Sequence, residues 1–395
     1  MAGIREPLLI VPGFQWLGRN VGIKDDTLDF AVAYADRPCA ASAVFTRNNF
    51  PGAPVIVGRE HVADGRLQAV VVNSKNANVA TGFKGVEHAR AVCRKVGKVL
   101  DIDPRLVLPG STGVIGVELP IERLLNASSA IPSELGRHRA HLEAFARAIL
   151  TTDTRPKAVS LRVGNATLTG VAKGAAMIEP NMATMLAYFF TDAAVEPAAL
   201  ATMLRQAVDK SFNRISVDTD TSTSDTVAIL ANGLAGPVDA SAFSAALEEG
   251  CIYLAQEIVR DAEGASKFIE LTVQGAPSAE AALRFAKSVI NSPLVKTAIH
   301  GADPNWGRFV MALGKVFDHP FPLEGLQITF GTGTDALTIS AQNQAAEILA
   351  DIAVYLRENS DVHLGIHLGA GNYAERVWGC DLTAEYVRLN AEYTT

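Results

Sequence analysis

The order of apolar and polar positions predicts short strands that alternate with amphipathic helices. Strand-like apolar runs occur at residues 68–73, 226–230, 268–273, 326–330 and 362–368. Residues 161–171 predict a β-hairpin, because Gly164-Asn165 interrupts the run at its middle. Helical spacing occurs at residues 86–100, 197–212, 241–255 and 343–356. The pattern places the chain in the α/β or α+β class.

The composition indicates a large protein and argues against a polyanionic partner. The chain has 395 residues, of which 48% are hydrophobic and 19% charged, enough for two domains or one large unit. A net charge of −7 without a Lys/Arg-rich block argues against nucleic acid and anionic membranes as partners. The absence of a signal-peptide pattern and of a long apolar run makes the cytoplasm the expected location. The four cysteines never form a C-x-x-C pair, so neither zinc nor a disulfide framework is expected.

The central stretch, residues 173–192, combines a small-residue turn, Pro180 and an apolar run. In one interpretation it is a loop that leads into a buried strand, with the β-branched Thr184 at its start. In the other, Thr184 is a nucleophile. No His or Cys lies in the stretch to act as a base. If the bond between Ala183 and Thr184 is cut, however, the freed α-amine has a pKa of about 7.7–8.0 and can deprotonate its own hydroxyl. This second interpretation predicts self-cleavage followed by acyl transfer.

Two earlier segments carry candidate chemistry. Residues 109–116 are rich in glycine, so their backbone can approach a ligand closely or direct the Thr112 hydroxyl at an oxyanion. A phosphate-binding loop is discounted because the Gly-Lys-Ser/Thr ending is absent. Residues 151–157 are dense in hydroxyl and carboxylate groups, as in a helix cap or turn. Residues alone favour an ordinary turn in both places.

A family resemblance changes these interpretations. Lys-Gly at residues 173–174 followed by Asn-Met-Ala-Thr-Met-Leu at 181–186 is similar to the processing site of the ornithine acetyltransferases. These enzymes are bifunctional glutamate N-acetyltransferases of arginine biosynthesis that cleave themselves before a threonine. Further segments resemble the family in the same order along the chain, at residues 111–116, 151–154, 211–226, 261–267, 291–298, 300–308 and 388–395. The resemblance implies a layered α/β fold, cleaved into an α chain (residues 1–183) and a β chain (residues 184–395) that stay associated.

The resemblance also implies roles for individual residues. Thr184 is the expected nucleophile, cleavage falls between Ala183 and Thr184, and Thr112 with Gly113 forms the oxyanion hole. Without the family, a lysine such as Lys173 or a glutamate such as Glu263 is normally an exposed charge, and a polar C-terminus is frayed. The expected substrate-binding residues are Thr151 (or Thr152, the register being open), Lys173, Thr184, Glu263, Asn390 and Thr395.

The implied reaction is a ping-pong transfer of acetyl from N2-acetyl-L-ornithine to L-glutamate through a Thr184 acyl-enzyme. The expected partners are small amino-acid substrates and the two chains of the same precursor, assembled as a heterotetramer of two α and two β chains. Neither a metal nor a bound cofactor is expected. Acetyl-CoA stays open as a second acyl donor.

Three alternatives stay open at this point. The chain could be an N-terminal-nucleophile hydrolase or aminopeptidase that uses Thr184 but releases the acyl group to water, or an inactive homologue that never cleaves. It could also belong to a secondary-metabolite branch of the family. That branch is suggested by Lys75, Thr219 and Ala262, which stand where the family usually has glycine.

Overall fold

The computed structural model describes residues 3–179 and 185–392. Within these residues the strands are β1 (Phe14–Arg19), β2 (Phe30–Phe45), β3 (Arg66–Asn73), β4 (Val107–Ser111), β5 (Lys157–Val163), β6 (Ala166–Lys173), β7 (Leu186–Ala194), β8 (Ile215–Ser216), β9 (Thr226–Pro237), β10 (Phe268–Ala276), β11 (Gln327–Phe330), β12 (Leu337–Ser340), β13 (Asp361–His367) and β14 (Tyr373–Cys380). The α-helices are α1 (Ala53–His61), α2 (Gly82–Leu100), α3 (Ile121–Ser128), α4 (Ile131–Glu134), α5 (Arg139–Ala148), α6 (Pro197–Lys210), α7 (Ala240–Arg260), α8 (Ala279–Ile290), α9 (Pro293–His300), α10 (Trp306–Gly314), α11 (Ala346–Glu358) and α12 (Ala384–Glu392).

The elements predicted from the sequence are present, and the mixed α/β class is confirmed. The predicted hairpin is the β5–β6 pair, which turns at Gly164 with φ +57°. The predicted helices correspond to α2, α6, α7 and α11. One expectation is wrong: residues 109–116 are not a turn throughout, because residues 109–111 belong to β4 and are buried. Pro109 is tolerated there because β4 is the edge strand of its sheet and needs fewer N–H donors.

The described residues form two compact units. The first comprises residues 3–179, 185–213 and 220–261, and the second comprises residues 214–219 and 262–392. The predicted boundary between α and β chains lies inside the first unit. The predicted chains therefore do not coincide with the two compact units.

The first unit is built on an eight-stranded mixed sheet. Its strand order is β4-β3-β2-β9-β7-β6-β5, and β1 pairs with β2 off this path. Helix α5 packs against β1, and α7 packs against β5 and β6. Neighbouring residues of β3 face opposite sides: Val70 and Val72 join one core cluster, whereas Ala69 and Val71 join another. Both faces of β3 are covered, which explains its continuous apolar run.

The second unit contains a six-stranded mixed sheet with the order β12-β11-β13-β10-β14-β8. Strand β10 pairs in parallel with β13 and antiparallel with β14. Helix α8 packs against β10 and β14, and its apolar face buries Phe285 and Val289 in the core of this unit.

The structure bears on two expectations for the whole chain, the state of its cysteines and the presence of a membrane-spanning helix. All four cysteines are buried free thiols, as predicted. Among the helices of the described ranges, none combines the length and the apolar character that crossing a membrane requires.

Candidate active site

The first group of predicted site residues lies where β4 ends and the chain turns. Thr112 directly follows β4, is buried, and donates its backbone N–H to the Asn73 carbonyl at 3.1 Å. Gly113 has φ +129°, and a Cβ atom there would lie 2.3 Å from the carbonyl carbon of Lys75. Only glycine fits this conformation and this close approach. The structure therefore brings Thr112 and Gly113 together in a turn that requires the glycine.

This turn retains two groups that can donate to an oxyanion. The Thr112 hydroxyl oxygen lies 3.2 Å from Lys173 Nζ. Because an ammonium group only donates, the hydroxyl oxygen accepts this bond and keeps its own proton for another acceptor. The Gly113 N–H has no backbone partner within the part of the chain that the structure describes. The Thr112 hydroxyl and the Gly113 N–H can thus stabilise a developing negative charge.

Lys173 links this turn to the strand that follows the predicted cleavage position. It is the last residue of β6, is buried, and is the register partner of Leu186, the first residue of β7. The predicted apolar strand after the central stretch is confirmed as β7. Ala183, Thr184 and Thr395 lie outside the described residues. The predicted nucleophile is covalently bonded to Met185, so Met185 is the single residue between it and the start of β7.

Asp153 is a site residue that the sequence analysis named only as part of a polar segment. Its side chain is buried, and its Oδ1 accepts hydrogen bonds from the Gly174 N–H at 2.6 Å and from Lys157 Nζ at 2.7 Å. Burial by itself would raise the pKa of Asp153, but the Lys157 and Lys173 ammonium groups outweigh it and hold that pKa well below its usual value. An ionised Asp153 therefore fixes the backbone that follows Lys173.

The segment that includes Thr151 is fixed through its backbone. The Thr151 N–H donates to Asp153 Oδ2 at 3.1 Å, and the preceding Leu150 carbonyl accepts from Lys24 Nζ at 2.6 Å. Burial lowers the pKa of Lys24 to about 8. Both Thr151 and Thr152 are half-buried. The choice of Thr151 over Thr152 as the substrate ligand stays a prediction.

Asp225 is the second residue whose position the sequence did not single out. It directly precedes β9, is completely buried, and accepts the Met185 N–H on Oδ1 at 2.9 Å. Strands β7 and β9 are parallel and begin level with each other, Leu186 opposite Thr226, which brings Asp225 beside Met185. The sequence signal was a polar run at residues 211–226, which did not distinguish Asp225 from its neighbours.

Two other predicted residues meet in the second unit. Asn390 on α12 donates from its side-chain nitrogen to Glu263 Oε2 at 3.0 Å and to the Tyr386 carbonyl at 3.0 Å. Gly264 makes this approach possible, because a Cβ atom there would lie 2.4 Å from the Tyr386 nitrogen. Both protons of the Asn390 amide are used, which leaves its oxygen as an acceptor. The structure therefore brings Glu263 and Asn390 together.

Within residues 3–179 and 185–392, no three His, Cys, Asp or Glu side chains cluster closely enough to hold a metal ion.

Comparisons with known proteins place the chain in a family. The ArgJ family model matches residues 15–395. Arginine biosynthesis bifunctional protein ArgJ 2 of Clostridium acetobutylicum is 47% identical over 388 residues, which cover 98% of this chain and 98% of that protein. Glutamate N-acetyltransferase Oat2 of Streptomyces clavuligerus is 47% identical over 378 residues, which cover 95% of each.

Among solved structures, that of arginine biosynthesis bifunctional protein ArgJ from Bacillus halodurans is 38% identical, with a TM-score of 0.47. The match covers 51% of this chain and 96% of the Bacillus halodurans chain. The resemblance inferred from the motifs is confirmed by the match over residues 15–395 and by the identity of the full-length relatives. The chain belongs to the ArgJ family.

Proposed function

We propose that this chain is a glutamate N-acetyltransferase of arginine biosynthesis, which moves the acetyl group of N2-acetyl-L-ornithine to L-glutamate. Relatives that carry the names arginine biosynthesis bifunctional protein and glutamate N-acetyltransferase support the reaction class at 47% identity. The observation that carries the proposal is the Lys173–Thr112 contact of 3.2 Å, next to the strand that Thr184 precedes. It supplies an oriented hydroxyl where an acyl-transfer reaction needs one.

The precursor first cleaves itself between Ala183 and Thr184. The α-amine that this exposes has a pKa close to neutral in unstructured peptides and removes the proton of the Thr184 hydroxyl. That hydroxyl then attacks the acetyl carbonyl of N2-acetyl-L-ornithine. The Thr112 hydroxyl and the Gly113 N–H donate to the oxyanion that forms, and ornithine leaves.

Glutamate then attacks the acetyl-enzyme, and N-acetylglutamate leaves with the acetyl group conserved. Lys173 orients the Thr112 hydroxyl and contributes positive charge for a substrate carboxylate. Thr151, Glu263, Asn390 and Thr395 complete the substrate contacts. The Asn390 oxygen, with both amide protons engaged, suits an ammonium group of the substrate.

The α and β chains assemble as a heterotetramer of two of each, and the enzyme works in the cytoplasm without a metal or a bound cofactor. Acetyl-CoA is a second donor to test alongside N2-acetyl-L-ornithine.

The experiment follows the acetyl group. Purified protein is incubated with N2-acetyl-L-ornithine labelled in its acetyl group, with and without glutamate, and the products are separated by chromatography. We expect N-acetylglutamate only when glutamate is present, labelled Thr184 peptide without it, and neither product from Thr184→Ala. Free labelled acetate, formed at the same rate with and without glutamate, would instead identify a hydrolase.

A further inference from the structure

The proposed mechanism needs a base that does not yet exist when the precursor cleaves itself. In the mature enzyme the α-amine of Thr184 removes the proton of its own hydroxyl. In the precursor that nitrogen belongs to the peptide bond with Ala183, and an amide nitrogen is not a base. Another group must therefore accept the hydroxyl proton during self-cleavage.

Asp225 lies beside Met185, the residue that directly follows Thr184. Its Oδ1 holds the Met185 N–H at 2.9 Å, and covalent geometry keeps the hydroxyl oxygen of residue 184 within about 5 Å of the Met185 nitrogen. The other oxygen, Oδ2, is buried and has no hydrogen-bond partner within the part of the chain that the structure describes. A buried carboxylate oxygen without a partner is costly, so its retention points to a function.

The surroundings of Asp225 leave this oxygen able to accept a proton. The Thr46 hydroxyl lies near, but it donates its proton to the Ser222 carbonyl at 2.6 Å. Burial raises the pKa of Asp225 well above its usual value, although the Met185 N–H and the Lys173 ammonium oppose the shift. A carboxylate with a raised pKa is a stronger base than an ordinary one at neutral pH.

We propose that Asp225 is the proton acceptor that activates the Thr184 hydroxyl for self-cleavage. The inference rests on the proposed function, because it presupposes cleavage before Thr184. Oδ2 takes the proton of the Thr184 hydroxyl, whose oxygen forms a bond to the Ala183 carbonyl carbon. The bond from that carbon to the Thr184 nitrogen breaks, and the nitrogen takes the proton from Asp225. Water then hydrolyses the resulting ester, which yields the Ala183 carboxylate and restores the hydroxyl.

The test measures self-cleavage in full-length chains made by pulse-labelled cell-free synthesis and chased at pH 5 to 9. Asp225→Asn keeps an oxygen for the Met185 N–H but has no basic oxygen to offer. Asp192→Asn is the matched control. Asp192 lies on β7 and, like Asp225, is buried and accepts a backbone N–H, in this case from Thr167 at 2.6 Å. We expect Asp225→Asn to cleave at least about 100-fold more slowly than the wild type. Asp192→Asn should cleave within about twofold of it.

The pH profile separates a base from a merely structural residue. The wild-type cleavage rate should rise with pH and level off, with a midpoint above the ordinary carboxyl range. The slow cleavage that remains in Asp225→Asn should lack this rising limb of the pH profile. Asp225→Glu, which keeps the carboxylate, should recover part of the rate. Thermal unfolding of uncleaved Asp225→Asn should match that of uncleaved Thr184→Ala.

Several outcomes would overturn the proposal. Wild-type-like cleavage of Asp225→Asn would do so, as would an unchanged pH limb in that variant, or a wild-type rate that does not vary from pH 5 to 9. A wild-type chain that stays whole at every pH would reject the proposed function itself, which is a different result.

Discussion

At the level of single residues, the proposed oxyanion donor Thr112 gives the first prediction, because its hydroxyl is oriented by Lys173 Nζ at 3.2 Å. We expect Thr112→Val, which loses the hydroxyl but keeps the shape, to lower kcat for ornithine release about 100-fold, because an oxyanion donor acts mainly in the transition state. Thr112→Ser retains the hydroxyl and serves as the control. Rates are compared per cleaved chain, as determined by mass spectrometry. Equal kcat values for the valine and serine variants would remove Thr112 from the oxyanion hole.

Backbone strain at Thr219 gives a second prediction at this level. Of the three residues at which the sequence resemblance led us to expect glycine, two adopt left-handed backbone: Lys75 with φ 78° and Thr219 with φ 70°. This conformation is especially unfavourable for a β-branched residue. Thr219→Gly should therefore stabilise the chain by about 1 kcal/mol, measured by urea unfolding in a Thr184→Ala background. Thr219→Ala keeps the Cβ atom and should gain less, so an equal gain would contradict the strain argument.

The sequence predicted these site residues unequally, for a physical reason. Thr112, Gly113 and Lys173 lie in recognisable motifs, and the structure brings them together. Asp153 and Asp225 act through backbone N–H groups of residues distant in sequence, Gly174 and Met185. Such contacts depend on strand register, which short polar runs do not encode.

At the level of secondary-structure elements, a buried ionic network joins three segments beside the site. Lys157, at the start of β5, lies 2.7 Å from Asp153 and 2.6 Å from Asp261, which follows α7. Asp153 in turn holds the Gly174 N–H after β6. Asp153→Asn leaves buried Lys157 with only one of its two carboxylate partners, so it should destabilise the chain by about 3 kcal/mol.

The control for this network is the exposed pair Arg5–Glu249, where Glu249→Gln should cost under about 1 kcal/mol. The pKa of Asp153 is depressed in the folded chain, so its contribution is complete above the unfolded pKa of about 3.9 and is lost as pH falls below it. The Asp153→Asn variant should therefore lose less stability on acidification than the wild type. Urea unfolding at pH values from 6 to 2 measures the stability of the chain with Asp153 and of the Asp153→Asn variant, each in a Thr184→Ala background. Parallel plots of unfolding free energy against pH would contradict the prediction.

Elements with a clear period or a covered face were predictable, and others were not. Strand β3 and helix α2 follow from their apolar spacing. Strand β2 was missed although it runs from Phe30 to Phe45, because exposed residues interrupt it and its alanines carry little strand preference. The buried residues 109–111 were expected in a turn, since glycine and proline normally indicate one.

At the level of the whole molecule, the strand order predicts that the cleaved chains cannot easily separate. In the order β4-β3-β2-β9-β7-β6-β5, strands β9 and β7 follow the predicted cleavage position, whereas β2 and β6 on either side precede it. Separation would break strand pairing along both edges of the β9–β7 pair. The two fragments should co-elute in native size-exclusion chromatography and separate only in denaturant. Separation under native conditions would contradict this strand order in the mature enzyme.

The intact mass of the purified protein, measured beside that of its Thr184→Ala variant, decides whether Thr184 becomes an N-terminal nucleophile. We expect two wild-type species, corresponding to residues 1–183 and 184–395, the second beginning with an unmodified threonine amine. The variant should give one species of 41.8 kDa. A wild-type chain that remains a single 41.8 kDa species after prolonged incubation would contradict the nucleophile assignment and the acyl-transfer mechanism that follows from it.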